Sequence, residues 1–285
     1  MQKLRKNWQE RSSLQYPQHA MRLAAHVTAL MALLLAVRSA VRRPTQRRWL
    51  STNLGLAGSA FASELGPSGG RPVLVSIEGN IGAGKSTLLD ALRAGETSKD
   101  WIFIDEPVGE WSTLKNEKGE SMLEVFYKDR RRWSYTFQNC ALLTRFQNIE
   151  AAIRTHSSVT AGGQRKVFVT ERCLDTDYHV FTKMLRAEGS IDKLEYDLYE
   201  RWFSQLKKTS TPLSAIVHVD TTPETCAQRI IKRGREGEGG IPLEYLRSLD
   251  KYQRDWVEAG TTPFIRADVT QCNKVVEFVA KICTA

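Results

Sequence analysis

Two glycines, a lysine and a hydroxyl recur at the spacing G-x-x-x-x-G-K-S in Gly79-Asn80-Ile81-Gly82-Ala83-Gly84-Lys85-Ser86, with Thr87 following. That spacing serves the holding of a phosphate chain. Glycines let successive backbone N–H groups turn inward around phosphate oxygens, and a helix beginning at the loop adds its positive N-terminal end. Lys85 is placed to reach the β- and γ-phosphates, and Ser86 to help hold a magnesium ion. Two acid-bearing sequences, Asp105-Glu106-Pro107 and Glu171-Arg172, are the further charged groups to be placed beside such a loop.

These groups must be positioned by regular elements. Pro72 to Glu78 is a β-branched apolar run just before the loop, and Thr87-Leu88-Leu89-Asp90-Ala91-Leu92 is helical in pattern just after it. A chance glycine turn is the competing reading, and the strand–loop–helix context stands against it. Four more β-rich runs lie at 101–105, 166–170, 214–220 and 263–267, separated by helical segments. The alternation predicts a doubly wound α/β sheet, with ligands at the carboxyl ends of its strands. Both acid-bearing sequences follow such runs.

Composition bounds the function. The chain has 285 residues, 41% hydrophobic and 26% charged, which is globular, and no stretch reaches the roughly 18–20 apolar residues of a membrane span. Cys140, Cys173, Cys226, Cys272 and Cys283 are scattered without a C-x-x-C pair, which disfavours a disulfide framework or a zinc site. The net charge of +9 resides in residues 1–71, where eleven Lys and Arg face only Glu10 and Glu64; residues 72–285 balance 30 against 30. A nucleic-acid polymer is therefore not an expected partner. Residues 11–63 hold no acid and are rich in Arg, Ser, Ala and Leu, the composition of an organelle-targeting presequence. Mitochondrion is the leading destination, with plastid or cytoplasm as alternatives and cleavage near Ser51. A secretory signal over Leu23 to Val37 competes with this, but His26 and Thr28 interrupt it. Residues 1–71 are thus read as presequence and linker, and 72–285 as the catalytic domain.

Six ordered motifs carry a resemblance: Glu78-Gly79-Asn80-Ile81 with the loop; Glu106-Pro107-Val108 with Trp111; Arg132 through Gln138; Glu171-Arg172; Thr222 through Cys226; and Gly240 through Leu246. Together they resemble the deoxyribonucleoside kinase family, the group containing deoxycytidine, deoxyguanosine and mitochondrial thymidine kinases. The resemblance implies a P-loop kinase fold: a five-stranded parallel sheet flanked by helices, with an arginine-bearing lid. It implies transfer of the ATP γ-phosphate, with Mg2+, to a deoxyribonucleoside 5′-hydroxyl, a homodimer, and feedback inhibition by a triphosphate. Glu106 matches the family's general base, Arg172 its partner, and Glu171 a contributor to magnesium organisation through water. Arg229 and Arg233, four residues apart on a helix over 222–235, and Arg235 beyond them match the lid. A structural carboxylate capping the next element is the bland alternative for Glu106, a solvated ion pair that for Glu171 and Arg172, and a solvated basic helix face that for the lid arginines.

On a helix over 133–148, Gln138, Ala141 and Arg145 share one face, and Asp177 and Phe181 share another on a later helix. The resemblance places all five at the nucleoside base, with Trp111 as a second aromatic wall, and Tyr127 and Glu238 at the sugar 3′-hydroxyl. Glu236 is an alternative for the last. The charged pair Arg145 and Asp177 beside Ala141 matches kinases that take deoxycytidine and purine deoxynucleosides rather than thymidine; a structural ion pair is the competing reading. A nucleoside monophosphate kinase and a non-catalytic structural subunit are the rival functions. The presence of Lys85, Ser86, Glu106, Arg172 and the lid arginines weighs against both.

Overall fold

The computed structural model describes residues 71–156, 163–235 and 237–284. The segment expected to be a presequence, with its expected cleavage region, and Glu236 lie outside the described residues. Five strands form one parallel sheet in the order β2-β3-β1-β4-β5: β1 (Val73–Glu78), β2 (Ile102–Ile104), β3 (Val167–Glu171), β4 (Leu213–Val219) and β5 (Phe264–Ala267). Each lies within a residue or two of a run read from the sequence. The central strand β1 is buried along its whole length, as expected where helices cover both faces. Ser76 stands opposite Thr170 of β3 and Ile216 of β4, so the chain leaves β1 and β3 at the same end of the sheet.

Alternation along β1 divides the core. Val73, Val75 and Ile77 face α1 (Lys85–Arg93) and α10 (Cys272–Thr284), through Leu88, Leu89, Leu92, Val275 and Val279. Leu74 faces the opposite layer, where Leu142 and Ile149 of α4 (Arg130–Thr155) meet Tyr199 and Phe203 of α7 (Lys193–Thr209). Each fully buried side chain of this size contributes roughly 1.5–3 kcal/mol. A third cluster joins α2 (Val108–Thr113), α3 (Met122–Lys128), α4 and α9 (Leu243–Ala259) through Trp111, Phe126, Phe137, Tyr245 and Leu249.

Three element boundaries differ from those read in the sequence. The long helix begins at Arg130 and ends at Thr155, seven residues past the 148 inferred from its marked face. Its start is fixed by the Asp129 carboxylate accepting the Arg132 N–H at 3.1 Å. The lid helix α8 (Pro223–Arg233) stops before Arg235, because Gly234 takes a left-handed conformation (φ 62°) that glycine adopts at no steric cost. At its other end the Thr222 hydroxyl caps the Thr225 N–H. Asp177 and Phe181 lie on a π-helical turn (Asp177–Thr182) between α5 (Leu174–Thr176) and α6 (Lys183–Ala187). A spacing of four keeps them adjacent there too. No helix among the described residues is long and apolar enough to cross a membrane.

Candidate active site

The phosphate loop takes its shape from three left-handed glycines. A Cβ on Gly79 (φ 141°) would sit 2.7 Å from the Val219 carbonyl oxygen, and one on Gly82 (φ 77°) 2.7 Å from that of Cys226. Both neighbours are backbone, so neither position admits a side chain without moving a strand end or the lid helix. The loop is tied down from inside: Asn80 donates Nδ2 to the Leu246 carbonyl at 2.8 Å and accepts the Ile81 N–H at 2.8 Å. Lys85, only 5% exposed, donates to the Asn80 carbonyl at 2.9 Å and approaches Glu171 at 3.6 Å. Ser86 donates to the other Glu171 oxygen at 2.8 Å. Burial, with help from the Arg172 charge, lowers the Lys85 ammonium to about pKa 8 against the pull of Glu171, Glu106 and Glu78.

From Lys85 and Ser86 a cavity of about 310 Å³ runs to Gln138 and Phe181. Glu106 stands on its wall beyond β2, its Oε1 3.2 Å from Arg172 Nε and 3.2 Å from Arg145 Nη2. Burial opposes its charge, yet Arg172, Arg145 and Lys85 together hold the carboxyl below its ordinary range. It is ionised at neutral pH. Arg172 follows β3 with φ 65°, the one non-glycine residue at positive φ among the described residues. Such a conformation costs of order 1–3 kcal/mol and persists only where its surroundings enforce it. Here the Arg172 N–H bonds the Ile77 carbonyl at 3.1 Å and Thr170 Oγ1 donates to the Arg172 carbonyl at 3.0 Å. The strained backbone aims the guanidinium at Glu106 and stacks it 4.9 Å from the Phe181 ring.

At the far end the α4 face read from the sequence is realised: Gln138, Ala141 and Arg145 all line the cavity with Trp111, Asp177 and Phe181. Arg145 donates Nε to Asp177 at 2.9 Å and Nη1 to the Glu171 carbonyl at 2.9 Å. Burial raises the Asp177 carboxyl to about pKa 6, with Arg145 offsetting part of that cost. Gln138 is 1% exposed and its Oε1 has no hydrogen-bond partner. A buried carbonyl left unpaired on a cavity wall is costly unless a ligand supplies the donor. Trp111 anchors its Nε1 to Thr144 Oγ1 at 3.0 Å and meets Phe137 edge-on at 5.2 Å. Tyr127 and Glu238 share the same cavity. Glu238 is buried and accepts from both Arg233 and Arg235, the latter at 3.0 Å.

Some candidates lie off the wall. Gly79, Asn80, Ala83 and Gly84 belong to the loop and Thr87 to the first turn of α1 without lining the cavity, and Arg229 turns to the loop instead, donating Nη1 to the Ala83 carbonyl at 2.7 Å. The cavity also includes groups not singled out from the sequence. Phe137 and Leu123 are apolar wall, and Asp90, Arg93 and Asp105 form an ion-paired rim, with Arg93 2.7 Å from both acids. Phe137 was within reach of the periodicity argument, being four residues before Ala141 and eight before Arg145 on one helix.

Comparison with known proteins decides what this constellation belongs to. The family model described as deoxynucleoside kinase matches residues 75–282. The chain belongs to the deoxynucleoside kinase family. It is similar to the deoxycytidine kinase of Homo sapiens (33% identity over 198 residues, 64% of this chain and 74% of the relative). It resembles deoxycytidine kinase 2 of Gallus gallus (34% over 198 residues, 64% and 73%) and the mitochondrial deoxyguanosine kinase of Xenopus laevis (30% over 201 residues, 66% and 74%). Membership makes the chain a phosphotransferase acting on deoxyribonucleosides, with a nucleotide as phosphate donor. The cavity joins a phosphate loop to an aromatic-walled recess, which is the shape that reaction requires.

Proposed function

We propose that this kinase transfers the γ-phosphate of ATP to the 5′-hydroxyl of deoxycytidine and purine deoxynucleosides in preference to thymidine. The observation that carries the reading is Glu106, an ionised carboxylate held by two buried guanidiniums between the phosphate-loop lysine and the base recess. A 5′-hydroxyl placed there gives its proton to Glu106 as its oxygen bonds to the γ-phosphorus and the bond to the β,γ-bridging oxygen breaks. A weakly basic carboxylate suffices, since a loose phosphoryl transition state forms little bond to the nucleophile until late. Arg172 orients the carboxylate and hydroxyl; Lys85 meets the β- and γ-phosphates. Arg233 and Arg235, with Arg229 behind the loop, close over the phosphates as a lid and open for release.

Ser86 and Glu171 offer two hard oxygen donors already 2.8 Å apart beside Lys85, a set that fits Mg2+, with Glu171 acting mainly through water. Held by these two residues, such an ion would supply charge neutralisation at the transferred phosphate. Gln138 reads the base edge with its amide, Phe181 and Trp111 enclose its faces, and Tyr127 with Glu238 holds the sugar. Asp177, an acceptor fixed by Arg145, favours a base amino group and penalises a carbonyl. Magnesium-dependent ADP production with each deoxynucleoside and its monophosphate, supplied separately to a chain starting near Ser51, tests the whole reading. Turnover of deoxycytidine and the purine deoxynucleosides supports it; thymidine preference or activity on monophosphates alone overturns it. Alanine at both Arg145 and Asp177 is expected to raise the thymidine-to-deoxycytidine ratio of kcat/KM by about tenfold or more, given the 1–3 kcal/mol that one polar contact discriminates. An unchanged ratio removes the pair from specificity.

Two further proposals concern setting. Leu194, Leu198 and Trp202 expose one apolar stripe on α7, at 78%, 42% and 51%, and Leu143 of the adjoining α4 is 46% exposed. Spaced four apart, they make a self-complementary face suited to a homodimer of parallel or antiparallel helix pairs. Leu198→Glu with Trp202→Glu is expected to halve the mass seen by light scattering; an unchanged mass rejects this face. The acid-free arginine-rich segment at 11–63 supports a mitochondrial location, as does the likeness to a relative whose name places it there. Fusion of residues 1–71 to a fluorescent reporter tests that address.

A further inference from the structure

Arg145 occupies an unusual position. One guanidinium reaches three groups from three elements: Asp177 through Nε at 2.9 Å, the Glu171 carbonyl through Nη1 at 2.9 Å and Glu106 Oε1 through Nη2 at 3.2 Å. It is 2% exposed, so its contacts with Asp177 and the Glu171 carbonyl are shielded from solvent, and only the Glu106 side of the third reaches the cavity. The side chain that faces the base recess is therefore in direct contact with the carboxylate that faces the phosphate. We propose that Arg145 is a positioning residue for Glu106, so that base recognition and the ionisation and orientation of the general base are set by one guanidinium. The inference rests on the reading of Glu106 as general base.

Glu106 Oε1 lies in the angle between Arg172, at the end of β3, and Arg145, on α4. Arg172 alone would hold Oε1 from one side, whereas two donors from different elements converge on that oxygen and fix its position from two directions. Arg145 in turn cannot swing away, because Asp177 and the Glu171 carbonyl hold its other two nitrogens. A base that forces Arg145 to move must then disturb Glu106 as well. Discrimination against such a base is expected in kcat and not in KM alone.

The titratable groups around Glu106 come from several elements: Lys85 at the start of α1, Arg145 on α4, Glu171 at the end of β3 with Arg172 after it, Asp177 on the π turn, and the neutral Tyr127 hydroxyl on α3. Arg233 and Arg235 are engaged by Glu238. Among these, Arg172, Arg145 and Lys85 are the cations that favour the ionised carboxylate. Removing one should raise the proton affinity of Glu106 measurably.

The test compares Asp177→Ala with the double variant Asp177→Ala/Arg145→Met. The two differ only in the guanidinium, and neither leaves the Asp177 carboxylate buried without its partner. The pH profile of kcat/KM for deoxycytidine reports free-enzyme ionisations. The acid limb of the double variant is expected about one unit above that of Asp177→Ala, in line with the loss of an adjacent opposite charge, and its kcat at neutral pH is expected to fall. Arg145→Lys, which keeps the charge but cannot span three acceptors, should keep the acid limb and still lose kcat. Identical limbs and equal kcat in the pair would overturn the proposal and confine Arg145 to base recognition. Glu106→Gln separates that outcome from failure of the underlying reading: if it retains full turnover, Glu106 is not the base, whatever Arg145 does.

Discussion

Glu106→Gln is expected to lower kcat by about 10²–10⁴-fold, the range that a positioned general base contributes, while nucleoside affinity changes little. The amide keeps the shape and can still accept from Arg172 Nε and Arg145 Nη2, both 3.2 Å away in the native protein. What it loses is the ability to take a proton. Because the interaction removed exists mainly in the transition state, kcat and kcat/KM should fall together.

The pH dependence of the loss carries the assignment. Burial raises and the three cations lower the proton affinity of Glu106, and the cations prevail. Its carboxylate is therefore fully formed above its ordinary range and is lost only in more acidic solution. The native kcat/KM should fall as pH drops through that acidic limb, and the residual activity of the glutamine variant should not follow it. Two buried guanidiniums facing an amide lose an opposing charge, so the variant is also expected to melt lower, by a few degrees. Steady-state kinetics beside a calorimetric scan distinguish the chemical defect from the stability defect. Full activity with a retained acid limb would remove Glu106 from the reaction.

Part of this site could be read from spacing and part only through the family resemblance, for a physical reason that also sets the limit. The phosphate-loop pattern is local: Gly79 through Ser86 carry their signature within eight residues, and the β-branched apolar run before them reads as a strand, which is buried along its whole length. That Gln138, Ala141 and Arg145 share one face follows from helical period, which is again local, whereas its place at the site was what the resemblance implied. Contacts that depend on how elements cross are not encoded that way. Arg145 and Glu106 are 39 residues apart, and nothing in either neighbourhood requires that α4 pass the end of β2 at that height. The same holds for Glu238: its likeness to a sugar-binding group gives no sign that it engages Arg233 and Arg235. The π turn is invisible because π and α turns draw on the same residue types, and the positive φ of Arg172 because only its surroundings impose it. Gly234, by contrast, announced the end of the lid helix, and the boundary at Arg235 passed over it.

Lys85→Met is expected to reduce kcat by about 10²–10³-fold, the loss typical of removing one preorganised donor from a developing charge, with nucleoside binding retained at the far end of the cavity. The native ammonium is lowered to about pKa 8, by burial first and by Arg172 second. In the free enzyme the cation is thus lost as pH rises through about 8, and kcat/KM for ATP should decline along that limb. Bound phosphates favour the cation, so the corresponding limb of kcat should lie higher; the methionine variant should show neither. Stability gives an independent check with a definite sign. Between about pH 8 and the ordinary 10.5 the unfolded chain binds a proton at Lys85 that the native protein has released. Native stability therefore rises with pH across that window relative to a variant lacking the group. Below pH 8 the buried cation is a burden on the apoprotein, and Lys85→Met should melt higher than the native enzyme at pH 7, with the gap narrowing toward pH 10. Saturating ATP should invert the order at pH 7, because only the native loop retains the charge that binds it tightly. A variant that melts lower without nucleotide at pH 7 would mean that Lys85 serves mainly as a partner for Glu171, and that the loop's geometry depends on that pair.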